Sequence, residues 1–210
     1  MNLKNKNVYV IGGLGRIGQE VVKGLLEYGA SVIIIDRQDP KNLNATFKDD
    51  PNVKFVQIDS DEVEAAGLVF SEAVDKFGCP DVFINCSYPR TDDWASNSFA
   101  KISLESMRKN IDIHLNSYIW LAKMAADYMK EFNKAGSIIL TSSIYGLKAQ
   151  DQNLYHGTSM SENLTYGIIK AGIIQGSRQM SSYYGQFNIR INSICPGGVQ
   201  DKNQNKEFIE

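Results

Sequence analysis

Short apolar runs alternate with longer stretches of helical period along this chain. Val8–Gly12 (VYVIG) reads as a buried strand, and Ile17, Val21, Val22, Leu25 and Leu26 then recur at the spacing of one helix face. Ser31–Asp36 (SVIIID) and Val53–Asp59 (VKFVQID) read as the second and third strands, with a helical pattern from about Glu62 to Phe77. Asp81–Asn85 (DVFIN) is the fourth strand. A long helix is predicted from about Leu104 to Phe132, with Met107, Ile111, Leu115, Tyr118, Ala122 and Met129 on its apolar stripe. Gly136–Ser143 is the fifth strand, a helix carrying Tyr166 and Lys170 follows, and Ile189–Gly198 supplies the sixth. No internal repeat interrupts the pattern. Apolar strands alternating with amphipathic helices predict one α/β domain, a doubly wound parallel sheet with helices on both faces. Such a sheet binds ligands at the carboxyl ends of its strands, where the strand order reverses.

Composition narrows the class further. A length of 210 residues suits one domain, and 43% hydrophobic with 22% charged residues is the balance of a soluble globular protein. A net charge of −2 gives no basic patch for nucleic acid or an anionic membrane, so neither partner is expected. The apolar part of the N-terminus is too short for a signal peptide and no apolar run reaches membrane-spanning length, which predicts a cytoplasmic protein. Cys79, Cys86 and Cys195 are scattered, without zinc or disulfide spacing, and read as small buried hydrophobes. With His114 and His156 as the only histidines, no metal site is expected.

The turn between the first strand and helix, GGLGRIG, satisfies both Gly13-x-Gly15-x-x-Gly18 and Gly12-x-x-Gly15-x-x-Gly18. Glycine permits a tight turn and lets backbone approach a pyrophosphate, which the N–H groups and positive dipole end of the helix then hold. Gly12, Gly13, Leu14, Gly15, Arg16, Ile17 and Gly18 are therefore the candidate dinucleotide cradle of a Rossmann-type sheet. Asp36 ends the second strand, where a carboxylate accepts hydrogen bonds from ribose hydroxyls and repels a 2′-phosphate. That favours NAD over NADP. Arg37, whose guanidinium suits a 2′-phosphate, is the counter-indication. Asp59, with Ser60 beside it, ends the third strand; it reads equally as an acceptor for the adenine amino group or as part of a helix N-cap ahead of Glu62.

The remaining chemistry gathers late in the chain. Ser142 and Ser143 end the fifth strand, Tyr166 and Lys170 stand one helical turn apart, and Pro196-Gly197 follows the sixth strand. Together with the glycine turn this arrangement resembles the short-chain dehydrogenase/reductase family over nearly the whole chain. The resemblance implies Tyr166 as general acid/base on a hydroxyl or carbonyl, with Lys170 favouring the phenolate and holding the nicotinamide ribose. It implies Ser143 as hydrogen-bond partner of the substrate oxygen. Asn85 matches the first residue of the family's Asn-Asn-Ala-Gly, and Cys86, Ser87, Pro196, Gly197 and Val199 complete the implied cofactor-binding set.

The chain also departs from that family. Its glycine spacing is usual in the extended branch. Cys86-Ser87-Tyr88 replaces Asn-Ala-Gly, and Tyr88 should narrow the site. His114 stands where the family usually places a catalytic asparagine that holds a relay water. It reads either as the replacement, titrating near neutral pH, or as an ordinary half-buried helix residue. Asn110, one turn earlier, is a second candidate for that task, whereas Asn116 points elsewhere. The segment between Ser143 and Tyr166 is longer than usual and polar. Gln150, Asp151, Asn153, Tyr155 and His156 in it suit a hydroxyl-rich substrate, or simply a solvated loop. Asp201 takes the place of a frequent threonine, and residues 1–210 are expected to form a single dinucleotide-binding catalytic domain lacking the usual C-terminal substrate-side segment and last strand.

These readings predict an oxidoreductase that passes hydride between NAD(H) and an alcohol/carbonyl of a polar small molecule. A narrower resemblance to members that modify flagellin and surface glycans points to a sugar or glycan precursor. A homo-oligomer, dimer or tetramer, is expected, with the helix from Leu104 as a shared surface whose Glu105, Arg108 and Lys109 face solvent. Two alternatives stand beside this: an epimerase or dehydratase that returns its NAD, with His156 as a second acid/base, and a non-enzymatic nucleotide-binding protein.

Overall fold

In strand β1 (Asn7–Ile11), Val8 and Val10 pack on one side of a sheet and Tyr9 and Ile11 on the other, and none of the four is more than 2% exposed. Strand β2 (Ser31–Asp36) divides in the same way, Val32 and Ile34 against Ile33 and Ile35. Burial on both faces is why these strands read as unbroken apolar runs. The computed structural model describes residues 2–38, 45–58, 62–158 and 160–199. It adds β3 (Val53–Gln57), β4 (Val82–Asn85), β5 (Gly136–Thr141) and β6 (Ile189–Ile194) to a fully parallel sheet in the order β3-β2-β1-β4-β5-β6. The order reverses between β1 and β4, which opens a crevice beyond their carboxyl ends.

Helix α1 (Arg16–Glu27) and the short α2 (Ala45–Lys48) close one face through Val22 and Phe47. Helices α3 (Val63–Phe77), α5 (Ser117–Glu131) and α6 (Leu164–Tyr184) close the other, where Phe70, Leu121, Ile169 and Ile173 are buried against the strands. The doubly wound sheet expected from the periodicity is the one observed. Among the described residues, no helix is long and apolar enough to cross a membrane.

One helix departs from its sequence pattern. The stretch from Leu104 is α4 (Leu104–Asn110), then a π-helical turn over Ile111–Asn116, then α5. The wide turn rotates the chain relative to a strict 3.6 period. Tyr118, Ala122 and Met129 are buried as predicted, but Met107, Ile111 and Leu115 are only half-buried, and Asn110, Ile113 and His114 take the inward positions. Glu105, Arg108 and Lys109 face solvent as expected.

Candidate active site

The crevice is a cleft of about 550 Å³, within the range of small-molecule sites. Gly12, Gly15, Arg16 and Ile17 line one end, with Asp36 and Arg37 beside them, while Cys86, Ser87, Pro196, Gly197 and Val199 continue the wall toward Tyr166 and Lys170. Gly13, Leu14, Gly18 and Asn85 are buried behind this lining. Gly12 adopts φ +71°, and a Cβ there would stand 2.6 Å from the backbone of Ser87, so the turn closes against the segment after β4 only as glycine. Asp36 is 6% exposed; its carboxylate accepts from the backbone N–H of Leu14 (2.9 Å) and of Gln38 (3.1 Å), which fixes it at the cleft wall. Arg37 is exposed beside it.

Asn85 lies at the reversal point, wholly buried. Its Oδ1 accepts from the backbone N–H (3.0 Å) and hydroxyl (2.7 Å) of Ser87, and its Nδ2 has no partner. Tyr118, which sequence reasoning took only for core, donates its hydroxyl to the Ser87 carbonyl at 2.6 Å. A glycine turn at a helix start, a fixed carboxylate at the end of β2 and a buried amide donor without a partner fit a nicotinamide dinucleotide. Asp59, Ser60 and Asp201 lie outside the described residues.

The chemical end is built around Lys170, 3% exposed on α6. Its ammonium donates to the Thr141 carbonyl (3.1 Å) and stands 3.2 Å from His114 Nε2, while the Tyr166 ring centre is 5.8 Å away. The π turn delivers His114 to this position, fully buried. Burial and the neighbouring ammonium hold its imidazole neutral, well below the ordinary histidine range. An ammonium has only donors, so while Lys170 is charged Nε2 accepts from it and Nδ1 carries the proton. Nδ1 makes no hydrogen bond of good geometry, although the Pro89 backbone lies close enough to favour the charged ring. Burial drags Lys170 down from 10.5 to about 7.

The expected lowering of the Tyr166 phenol is corrected by the structure. Burial raises it and so does the neighbouring Tyr145, with the Ser143 hydroxyl pulling the other way, while the Lys170 ammonium bonds to the Thr141 carbonyl and His114. The two serines also part company. Ser142 donates its hydroxyl to the Lys170 carbonyl at 2.7 Å and is a structural tie, whereas Ser143, whose Oγ accepts from the Tyr145 N–H at 3.2 Å, is the one beside the phenol. Gly146 permits this closeness: a Cβ there would stand 2.7 Å from the Lys170 backbone.

Other candidates are spent elsewhere. Asn110 clamps the loop after β4, accepting from the Thr91 N–H at 3.0 Å and donating to the Thr91 hydroxyl at 2.7 Å. Asn116 is exposed and donates to Asp112. His156 is exposed and is not among the residues that line the cleft.

Sequence reasoning missed most of the rim. Tyr88 packs edge-on against Tyr166 (centroids 5.9 Å), His114 (5.3 Å) and Trp94 (5.8 Å), and Tyr145 meets Tyr166 at 6.4 Å. The long polar segment is docked onto this rim. Gln150 accepts from the Asn163 N–H (3.0 Å) and donates to the Tyr155 hydroxyl (2.7 Å). Asn163 N-caps α6 at the Tyr166 N–H (2.9 Å) and donates to the Trp94 carbonyl (3.1 Å). The scattered aromatic residues were the only sequence signal for this wall, and nothing in their spacing joined them.

A dinucleotide crevice with a tyrosine, a lysine and a serine at its mouth defines an oxidoreductase of the nicotinamide-dependent class. The chain belongs to the short chain dehydrogenase family, whose profile matches residues 6–209. It is 30% identical to the post-translational flagellin modification protein A of Campylobacter coli over 99% of this chain and 82% of that protein. It is 28% identical to a probable galactose dehydrogenase of Rhizobium meliloti, over 99% and 77%. Among solved structures, a short chain dehydrogenase from Leptospira borgpetersenii with bound NAD+ superposes with a TM-score of 0.85 at 27% identity, covering 99% of this chain and 76% of that one.

Proposed function

We propose that this chain is an NAD(H)-preferring dehydrogenase that interconverts an alcohol and a carbonyl on a polar, sugar-like small molecule, with Tyr166 as general acid/base. The observation that carries the reading is the meeting of Tyr166 and Lys170 on the cleft wall, with the Ser143 hydroxyl bonded to the phenol. A nicotinamide dinucleotide held by the glycine turn of residues 12–18 and by Asp36 would supply or accept the hydride. In the oxidative direction the Tyr166 oxygen takes the proton of the substrate hydroxyl, and in the reductive direction returns one to the carbonyl oxygen. The Ser143 hydroxyl donates to that same oxygen and stabilises its developing charge. Lys170 stands one turn from the phenol, and His114 and the Thr141 carbonyl hold its Nζ in register.

Asp36 supports NAD over NADP, since its fixed carboxylate would face a 2′-phosphate. The names of the relatives, a flagellin modification protein and a galactose dehydrogenase, support a sugar or glycan precursor as substrate. A single catalytic domain, a cytoplasmic location and a homo-oligomer joined through the helix from Leu104 belong to the same reading. Exposed Leu104 and Trp120 on that helix support the last. Fluorescence titration with NADH and with NADPH tests the cofactor assignment: tighter NADH binding is expected, and preference for NADPH would transfer the role of ribose reader to Arg37.

A further inference from the structure

We infer that the substrate carries an oxyanion group, a carboxylate or a phosphate, which Arg90 reads while the substrate's body lies along the Tyr88 ring; this rests on the dehydrogenase reading above. The loop after β4 runs Tyr88-Pro89-Arg90, and all three residues line the cleft together with Tyr166 and Lys170. The Arg90 guanidinium sits 5.5 Å from the centre of the Tyr88 ring, and the same ring meets Tyr166 edge-on at 5.9 Å. One aromatic ring therefore separates a cation from the phenol that handles the proton. A molecule of sugar size bridges such a gap.

Arg90 has no acidic partner among the described residues. Asp93 Oδ1 accepts from the hydroxyls of Thr91 and Ser106, and the ion pairs among the described residues all lie elsewhere. The loop is held by Asn110 at Thr91 and by the packing of Trp94 on Tyr88, so the guanidinium projects from a fixed base. A planar, permanently charged fork beside an aromatic wall binds carboxylate or phosphate in two-pronged fashion and gains little from a neutral hydroxyl. Tyr88, 42% exposed, lies between the cation and the phenol, so a substrate that reaches both passes beside it, and a sugar acid or sugar phosphate has the size and the charge to do so.

The test is a titration of the NADH complex, read by cofactor fluorescence, with galactose, galacturonate and galactose 6-phosphate, using wild type, Arg90→Gln and Arg90→Lys. The expected result is that galacturonate or the phosphate binds at least about tenfold more tightly than galactose, and that Arg90→Gln erases this preference, with Arg90→Lys intermediate. Whichever anion shows the effect identifies the group that Arg90 reads. Equal binding of all three sugars, an equal loss for all three in Arg90→Gln, or a loss confined to NADH itself would overturn the inference, the last by assigning Arg90 to the cofactor's phosphates. Failure of wild type to bind NADH would instead strike the dehydrogenase reading, so the two failures are separable.

Discussion

Replacing Lys170 by Met should stabilise the free protein near neutral pH while destroying its activity. Lys170 is almost wholly buried, and burial brings its ionisation from 10.5 to about 7 even with the Thr141 carbonyl and His114 accepting from it. In the unfolded chain lysine keeps its ordinary value near 10.4. Between those two values the unfolded state binds a proton that the native state does not, so protonation favours unfolding and the wild-type protein gains stability as pH rises through that window. At ~1.4 kcal/mol per pH unit the penalty is about 4 kcal/mol at pH 7 and falls to about 1 kcal/mol by pH 10. Met fills a similar volume without the charge and has no such dependence. How well Met packs sets a constant offset between the two proteins, but not the pH slope of their difference. Urea unfolding of both, followed by circular dichroism from pH 7 to pH 10, measures that slope. Titration of the cysteines and tyrosines that do not interact with Lys170 is common to both and cancels; Cys86, whose thiol the Lys170 charge pulls down, is removed from the comparison by a Cys86→Ala background in both proteins, and His114 is silent above pH 7. The stability advantage of Lys170→Met should shrink by about 3 kcal/mol across the window. Parallel curves would show that Lys170 is not desolvated, and would refute the description of the chemical end.

Two further expectations concern groups that hold the site. His114→Leu, which leaves the Lys170 ammonium one acceptor short, should lower kcat about tenfold or more and move the pH profile, while His114→Asn, which restores an acceptor, recovers part of the rate; equal rates in both variants would reduce the histidine to core packing. Gly12→Ala imposes a side chain at φ +71°, 2.6 Å from the Ser87 backbone, and should cost about 1–2 kcal/mol of stability from the backbone conformation alone, with NADH affinity falling as the turn opens; unchanged thermal midpoint and affinity would contradict the packing of the turn.

The sheet was legible because both of its faces are covered. Runs such as SVIIID have no reading other than buried strands once helical stretches separate them, and the observed β2 is Ser31–Asp36. The glycine turn was legible from its context, and so was the approach of Tyr166 to Lys170 on one helix face. The π turn was not, since an extra residue in a helix leaves only a drift in the apolar stripe, here seen in half-buried Met107, Ile111 and Leu115. That drift is what turns His114 inward. The division of labour between Ser142 and Ser143 depends on which hydroxyl meets the Lys170 carbonyl, a tertiary contact with no local signature. The phenol's upward displacement was missed because the sequence reveals the neighbouring charge and not the burial that opposes it. The polar segment before α6 has little helical period, yet Gln150 and Asn163 tie it to the rim through hydrogen bonds that pattern reading does not register.

The most direct test of the central claim compares wild type with Tyr166→Phe on a panel of sugars, sugar acids and polyols with NAD, followed by the growth of NADH absorbance. Wild type should reduce NAD with at least one of them, and Tyr166→Phe should be slower on that compound by about two to four orders of magnitude while still binding NADH. Turnover at the wild-type rate in Tyr166→Phe would contradict the account, and product formed without net NADH would replace it with an epimerase or dehydratase.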